Sequence, residues 1–376
     1  MKTIRFSIAL LAASLVSLPT MSAQPPAADN EEMAIRQAVN TYIRPFLAKN
    51  QIPGAIVGVS IHGRRYFFHY GRATDNGTPF AADTLVEIGS CTKVFTTTLF
   101  ALAINRNQIA PNESAQKHMP QGFKLQPLAQ QVTPLQLADF TSGMPDDPTN
   151  LPPQLEMRSI EHYTVKDFLT WVSKWKPASA PPAPYLYSNS GIGLLSYLVD
   201  DATGKPWHEQ LNQEILGPLG MSDTELRPSP AQQERMAMGH RPNGTNAPPW
   251  PIFAWYAAGG LRSTATDMLR FGEANLGHKQ IDGKTVSDEL IAAMKLAQKP
   301  IYTMPNSTSK QGMAWVNNLG DEQAGNRPEI LKNGGTVGFG TVILINPFKD
   351  AAIFIAVNKA GSNPAPIGVV IGRHLP

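Results

Sequence analysis

The feature that most constrains this chain is the placement of its strand-length apolar runs. Near the start, Ala55-Ile56-Val57-Gly58-Val59-Ser60-Ile61 turns at His62-Gly63 and is answered by Tyr66-Phe67-Phe68-His69-Tyr70. Near the end, Thr341–Ile345 and Ala352–Val357 flank Asn346-Pro347-Phe348-Lys349-Asp350. Each pair has the length and turn chemistry of a β-hairpin. Between them the segments are mostly helical in pattern, joined by Pro-rich loops at Pro177–Pro184 and Arg241–Pro251. Strands at both ends enclosing a helical middle predict an α+β fold, with one antiparallel sheet built from the two ends and an inserted helical lobe. A helix is expected near Glu31–Lys49, with Ile35, Val39, Ile43 and Phe46 on one face and Pro45 bending its end.

With 376 residues, 42% of them hydrophobic and 16% charged, the chain can bury a large core. Residues 1–23 carry Lys2 and Arg5, an apolar stretch from Phe6 to about Leu18, and Met21-Ser22-Ala23 before Gln24. That is the layout of a secretory signal peptide, so a single domain is expected over 24–376, in an exported protein with no stable membrane anchor. The 32 Lys and Arg against 29 Asp and Glu give +3, and removing the two cations of the leader leaves about +1. Such a balance points to no nucleic-acid surface. The lone cysteine, Cys91, excludes an internal disulfide. Eight scattered histidines offer no ligand spacing, so no metal site is expected.

A serine nucleophile needs a base within reach and donors for the oxyanion. Gly-x-Ser-x-Gly is absent; Gly58-Val59-Ser60-Ile61-His62 lacks the second glycine and lies in a strand. Ser-x-x-Lys recurs along the chain, as at Ser90–Lys93, Ser173–Lys176 and Ser307–Lys310. At the start of a helix this spacing puts the amine on the face of the hydroxyl, where a desolvated lysine can take its proton. Ser173 runs into prolines, as at a helix end, and Ser307 lies in a polar loop. Ser90 alone precedes a long apolar segment, Val94–Ile104, where a buried lysine is costly without a purpose. A capping serine with a snorkelling lysine would give the same spelling.

Tyr187-Ser188-Asn189 is the only Tyr-x-Asn and follows the rigid Pro181–Pro184 segment. A phenol between two cations has its pKa lowered and can relay a proton, although a tyrosine packed at a loop-to-helix junction reads the same way. Lys332-Asn333-Gly334 reads as a turn ahead of the Thr341–Ile345 strand, with glycines that let a substrate backbone approach.

In this order the three elements resemble the S-x-x-K, Y-x-N and K-T-G motifs of class C serine β-lactamases, shared with penicillin-binding DD-peptidases and related esterases. The likeness spans most of the chain beyond the leader: "GSCTKVFTT", "LQLADFTSGMP", "LYSNSGIGLLSYLV", "EILGPLGMSDTEL", "LRSTATDMLRF", "GFGTVILINP" and "VNKAGSNPA" all have family counterparts. It implies a β-lactamase/DD-peptidase-like fold with the site between two lobes, one from about 24–85 and 310–376, the other from about 86–309. Ser90 resembles the acylated nucleophile, Lys93 its base, Tyr187 the phenol serving the leaving nitrogen, and Lys332 the cation that steers substrate and tunes the tyrosine. Asn189 matches the amide that orients the substrate, and the backbone N–H groups of Ser90 and Gly335 match the oxyanion hole.

Three positions depart from the family pattern. Asn333 replaces a threonine that helps hold the β-lactam carboxylate, and Asn363-Pro364-Ala365-Pro366 keeps the asparagine but has Pro366 for the arginine. The usual glutamine after the T-S-G turn corresponds to Asp146 or Asp147. The resemblance also implies a C-terminal helix shorter than the family's, ending at Pro376. The resemblance implies a periplasmic, monomeric serine β-lactamase acting on a β-lactam or peptidoglycan-like peptide without a cofactor. A DD-peptidase or a carboxylesterase is the alternative. Cys91 is expected to be a small buried residue turned from the cleft.

Overall fold

A computed structural model describes residues 27–151, 162–318 and 328–376. The expected leader, 1–23, lies outside them. Helix α1 (Ala27–Lys49) starts earlier than expected and continues past Pro45. Its Ile35, Val39 and Ile43 are fully buried, as their spacing predicts. Strands β1 (Gly54–Ile61) and β2 (Arg64–Gly71) form the first hairpin. Its turn residues, His62 and Gly63, have φ of 49° and 76°, the double left-handed geometry that matches strand twist.

The central elements are helices α2 (Thr92–Asn105), α3 (Val165–Lys174), α4 (Asn189–Thr203), α5 (Ala265–Leu276) and α6 (Asp288–Gln298). Short strands β3 (Tyr302–Thr303), β4 (Lys310–Gln311) and β5 (Val316–Asn318) follow. Then come β6 (Glu329–Gly335), β7 (Gly340–Asn346), β8 (Ala351–Val357) and helix α7 (Ala365–His374).

The eight strands make one antiparallel sheet in the order β2-β1-β8-β7-β6-β5-β4-β3. The two ends of the chain therefore meet at its centre, with Ala55 opposite Val357 and Ile61 opposite Ala351. Every residue of β1, β7 and β8 is buried, which explains why their sequences are apolar without alternation. One face packs under α1 and α7 through Val57, Val59, Leu344, Ile353 and Ile355. The other packs under α5 and the helical stretch through Ile56, Ile343, Ile345 and Phe354.

The expected hairpins and sheet thus form as read, with one correction. Lys332-Asn333-Gly334 is no turn before a strand. It lies within β6, paired residue for residue with β7, Lys332 opposite Ile343 and Gly335 opposite Gly340. Lys, Asn and Gly are poor strand formers, and pairing with the apolar β7 overrides their local preference.

Candidate active site

Ser90 sits in a single 3₁₀ turn, Gly89–Cys91, that leads directly into α2. This turn rests on β6 so closely that only glycines fit. A Cβ on Gly89, whose φ is 50°, would stand 2.5 Å from the Gly335 carbonyl oxygen, and one on Gly334 would stand 2.1 Å from the Ile88 oxygen. Gly334 of β6 therefore seats the Ser90 turn. Cys91 points into this seam, its thiol 3.3 Å from the Lys332 carbonyl oxygen and 3.5 Å from Thr341 Oγ1. Burial raises its pKa to about 11, so it is an inert packing residue, as expected.

Residues 92–103 of α2 are buried throughout, and Lys93 is carried in with them at 0% exposure. Its Nζ lies 3.0 Å from Ser90 Oγ, 2.5 Å from Asn189 Oδ1 and 2.7 Å from the Ala258 carbonyl oxygen. Burial, reinforced by the Lys332 charge, holds the amine well below its ordinary pKa. The neutral form closes the hydrogen-bond count: two N–H groups for the two amide oxygens, and the lone pair for the serine O–H. Lys93 is thus arranged as a proton acceptor toward Ser90.

Tyr187 donates its hydroxyl to Ser90 Oγ at 2.7 Å. The ring leans on Phe140, with centroids 4.8 Å apart, and the preceding loop is pinned by Leu186 N–H to the Phe140 oxygen and Ala183 N–H to the Thr141 oxygen. Lys93 Nζ and Lys332 Nζ each lie 4.8 Å from the ring centroid. The expectation that this phenol is acidified fails. Burial raises its pKa, and the nearby Asp146 carboxylate adds to the rise, against the hydrogen bond with Ser90. In the free site Tyr187 is a protonated donor.

Asn189 opens α4, held by the Ser188 cap, whose Oγ accepts Gly191 N–H at 2.7 Å. Both acids proposed for the glutamine position border this helix start. Asp146 Oδ1 accepts Asn189 N–H at 3.0 Å, and Asp147 Oδ1 lies 3.5 Å from Asn189 Nδ2. Both are exposed, so two carboxylates stand beside the Asn189 amide.

Lys332 is 3% exposed, and its ammonium contacts the faces of Tyr187 and Phe140 rather than a carboxylate. Burial lowers its pKa to about 8. Strand β6 pairs with β5 only over Glu329–Leu331, so from Lys332 to Gly335 its outer edge faces the cleft without a strand partner among the described residues. Asn333 and Gly335 are exposed on this stretch. A Cβ on Gly335 would meet only the Phe339 oxygen, at 3.9 Å. Asn363 is exposed and spends its Oδ1 on the Ala365 N–H, 3.0 Å away, at the start of α7.

The Ser-x-x-Lys stretches at Ser173 and Ser307 stay apart from this cluster. Ser173 lies near the end of α3, with Lys176 exposed beyond it, and Ser307 stands in an exposed loop before β4. Two contributors gave no sequence signal. The Ala258 carbonyl acts through the backbone, and Phe140 adopts φ of 67°, a left-handed conformation that residue type alone does not announce for phenylalanine. Among the described residues no cluster of His, Cys, Asp and Glu could hold a metal, and no helix is long and apolar enough to cross a membrane.

Known proteins resemble this chain over most of its length. The β-lactamase of Escherichia coli K12 is 28% identical over 360 residues, covering 88% of this chain and 90% of that protein. The D-alanyl-D-alanine-carboxypeptidase/endopeptidase AmpH of the same organism is 27% identical over 375 residues, covering 96% and 92%. The fold is that of a class C β-lactamase crystal structure, with TM-score 0.78 at 24% identity over 92% of this chain and 98% of that one. A β-lactamase/D-alanine carboxypeptidase from Pseudomonas syringae superposes with the same score at 23% identity, covering 91% and 99%. The profile described as Beta-lactamase matches residues 39–368, and the chain belongs to the β-lactamase family.

Proposed function

We propose that the protein is a class C-like serine β-lactamase that hydrolyses the β-lactam amide through a Ser90 acyl-enzyme. The observation that carries this reading is one hydroxyl, Ser90 Oγ, within reach of both a desolvated amine at 3.0 Å and a protonated phenol at 2.7 Å. Neutral Lys93 accepts the serine proton as Oγ attacks the carbonyl. The backbone N–H groups of Ser90 and Gly335 receive the oxyanion, each such donor typically contributing about 10²–10³ in rate. Tyr187 passes its proton to the departing nitrogen, and the ammonium of Lys93 restores it. Water then hydrolyses the ester, with the same groups run in reverse. Asn189 orients the acyl amide. In this reading Lys332, Asn333 and the amide N–H₂ of Asn363 receive the substrate carboxylate. No step calls for a metal or organic cofactor.

The same reading places the enzyme in the periplasm as a monomer, a single domain from residue 24 onward after loss of the leader. Turnover of nitrocefin by the purified protein, absent in Ser90→Ala, is the expected result. A stable penicillin adduct on Ser90 without turnover would move the protein to the penicillin-binding peptidases. One observation favours that second reading, or an esterase: Asp146 and Asp147 add negative charge to a cleft that has Asn333 and Pro366 in the carboxylate-binding positions. Hydrolysis of p-nitrophenyl butyrate far faster than nitrocefin would select the esterase.

A further inference from the structure

Beside the catalytic groups lies a carboxylate that the reaction above does not use. Glu87 is 3% exposed, three residues before Ser90, in a two-residue ladder in which it pairs with Arg262. Burial raises its pKa. A buried carboxylate without a direct ion pair is expensive, and here the guanidinium of Arg262 is spent on the carbonyl oxygens of Gly260, Leu226 and Trp250. Glu87 instead holds two segments that close in from other parts of the chain. Its Oε2 accepts the Thr336 hydroxyl at 2.6 Å, and its Oε1 accepts the Trp250 N–H at 2.5 Å.

Thr336 is the residue after Gly335, where β6 ends. Its Oγ1 also accepts the N–H groups of Gly338 and Phe339, at 3.3 and 3.2 Å, while its own N–H reaches the Phe339 oxygen at 3.0 Å. One hydroxyl therefore closes the β6–β7 turn and tethers it to the strand that carries the nucleophile turn. The Gly335 backbone is caught between this tether and Gly89. Trp250 belongs to the Pro-rich loop that walls a neighbouring cleft of about 1530 Å³, which Glu87 also lines.

We propose that Glu87 and Thr336 are positioning residues for acyl transfer: the Thr336 hydroxyl, anchored on the Glu87 carboxylate, fixes the Gly335 N–H relative to Ser90 Oγ. The inference rests on the acyl-transfer reading of Ser90 and adds the device that keeps its oxyanion donor in place. An oxyanion donor acts only when held at the position the charge will occupy, and a displacement of about 1 Å can cost about 10² in rate. The tether touches no substrate atom, so its loss falls on the chemical step and leaves ground-state binding alone.

The test measures nitrocefin kcat and KM, together with the acylation rate by penicillin read from intact mass, in wild type, Thr336→Val, Thr336→Ser and Glu87→Gln. Thr336→Val is expected to lower kcat and the acylation rate about 10- to 100-fold with KM within about threefold. Thr336→Ser, which keeps the hydroxyl, restores most of the rate. Glu87→Gln, which preserves shape and secures the result if Thr336→Val does not fold, lowers both rates about three- to tenfold, because a neutral acceptor holds the hydroxyl less firmly. Folded Thr336→Val or Glu87→Gln acylating at the wild-type rate overturns the tether while leaving Ser90 chemistry intact. A serine variant as slow as the valine variant overturns it too. A wild-type protein that penicillin and nitrocefin leave unmodified removes the acyl-transfer reading itself, and the tether with it.

Discussion

Two lysines within reach of one tyrosine ring have been given different jobs by their surroundings. Lys93 has two carbonyl acceptors and a serine O–H, a set that suits an amine. Lys332 has aromatic faces, which suit an ammonium, and its pKa of about 8 leaves it charged at neutral pH. For a carboxylate-bearing β-lactam, kcat/KM should therefore fall as pH rises through about 8. Lys332→Arg, whose guanidinium stays protonated far above that pH, should move this alkaline limb upward. A limb that stays put in the arginine variant assigns it to another group. Asn333 stands two residues from Gly335 on the same open edge, and Asn333→Thr should lower KM for such substrates about three- to tenfold by supplying the family's hydroxyl. An unchanged KM in steady-state assays would remove Asn333 from carboxylate recognition. Ser90, Lys93, Tyr187 and Lys332 were legible as motifs, and the fold brings their side chains together. The protonated state of Tyr187 was not, since it depends on burial by Phe140, more than forty residues away in the chain.

At the scale of elements, legibility followed length and apolarity. Both terminal hairpins show as continuous apolar runs, and α1 shows through its 3.6-residue period. Strands β3 to β5 have two or three residues each, too short for any period to register. Strand β6 hid its nature because its last four residues are Lys-Asn-Gly-Gly, poor strand formers of which Gly334 is required by the seam with the Ser90 turn. That seam makes Gly334 a sharp test. A methyl group there meets the Ile88 oxygen at 2.1 Å and Cys91 N at 3.0 Å, and both belong to backbone that cannot swing aside. Gly334→Ala should cost about 2–3 kcal/mol in urea unfolding, the upper range for overpacking, and should lower kcat by at least about tenfold as the serine turn lifts from β6. Wild-type stability and kcat in this variant would mean that the turn and strand can separate freely.

For the whole molecule, the sheet closes only when the two ends of the chain meet, because β1 pairs with β8 across some three hundred residues. What seals the far face is α7, lying on β7 and β8 over the core shared with α1. Under this helix is an oddity: Glu329, at 0% exposure, has neither carboxylate oxygen hydrogen-bonded among the described residues. Arg373 of α7 keeps its Nε 4.0 Å from Oε2, and that Nε has no hydrogen-bond partner among the described residues. Desolvation outweighs Arg373 and Lys349 and raises the Glu329 pKa to about 7. An unfolded glutamate titrates near 4.3, so between about pH 4.5 and 7 the folded chain holds a proton that the unfolded chain has lost. Stability from this group is therefore present below about pH 4.5, declines as pH rises through that window and is lost above about 7. Asp200, also raised to about 7, and Asp139, raised to about 6, add to the same trend, so the wild-type curve alone cannot isolate Glu329. Comparison with Glu329→Gln does, because glutamine keeps the shape and carries no titration. The stability of the variant relative to wild type should shift in its favour by on the order of 2–3 kcal/mol between pH 5 and pH 8, measured by urea unfolding at each pH. A difference that stays constant across that range would mean that Glu329 is already ionised in the fold, drawn to Arg373 more strongly than its burial opposes.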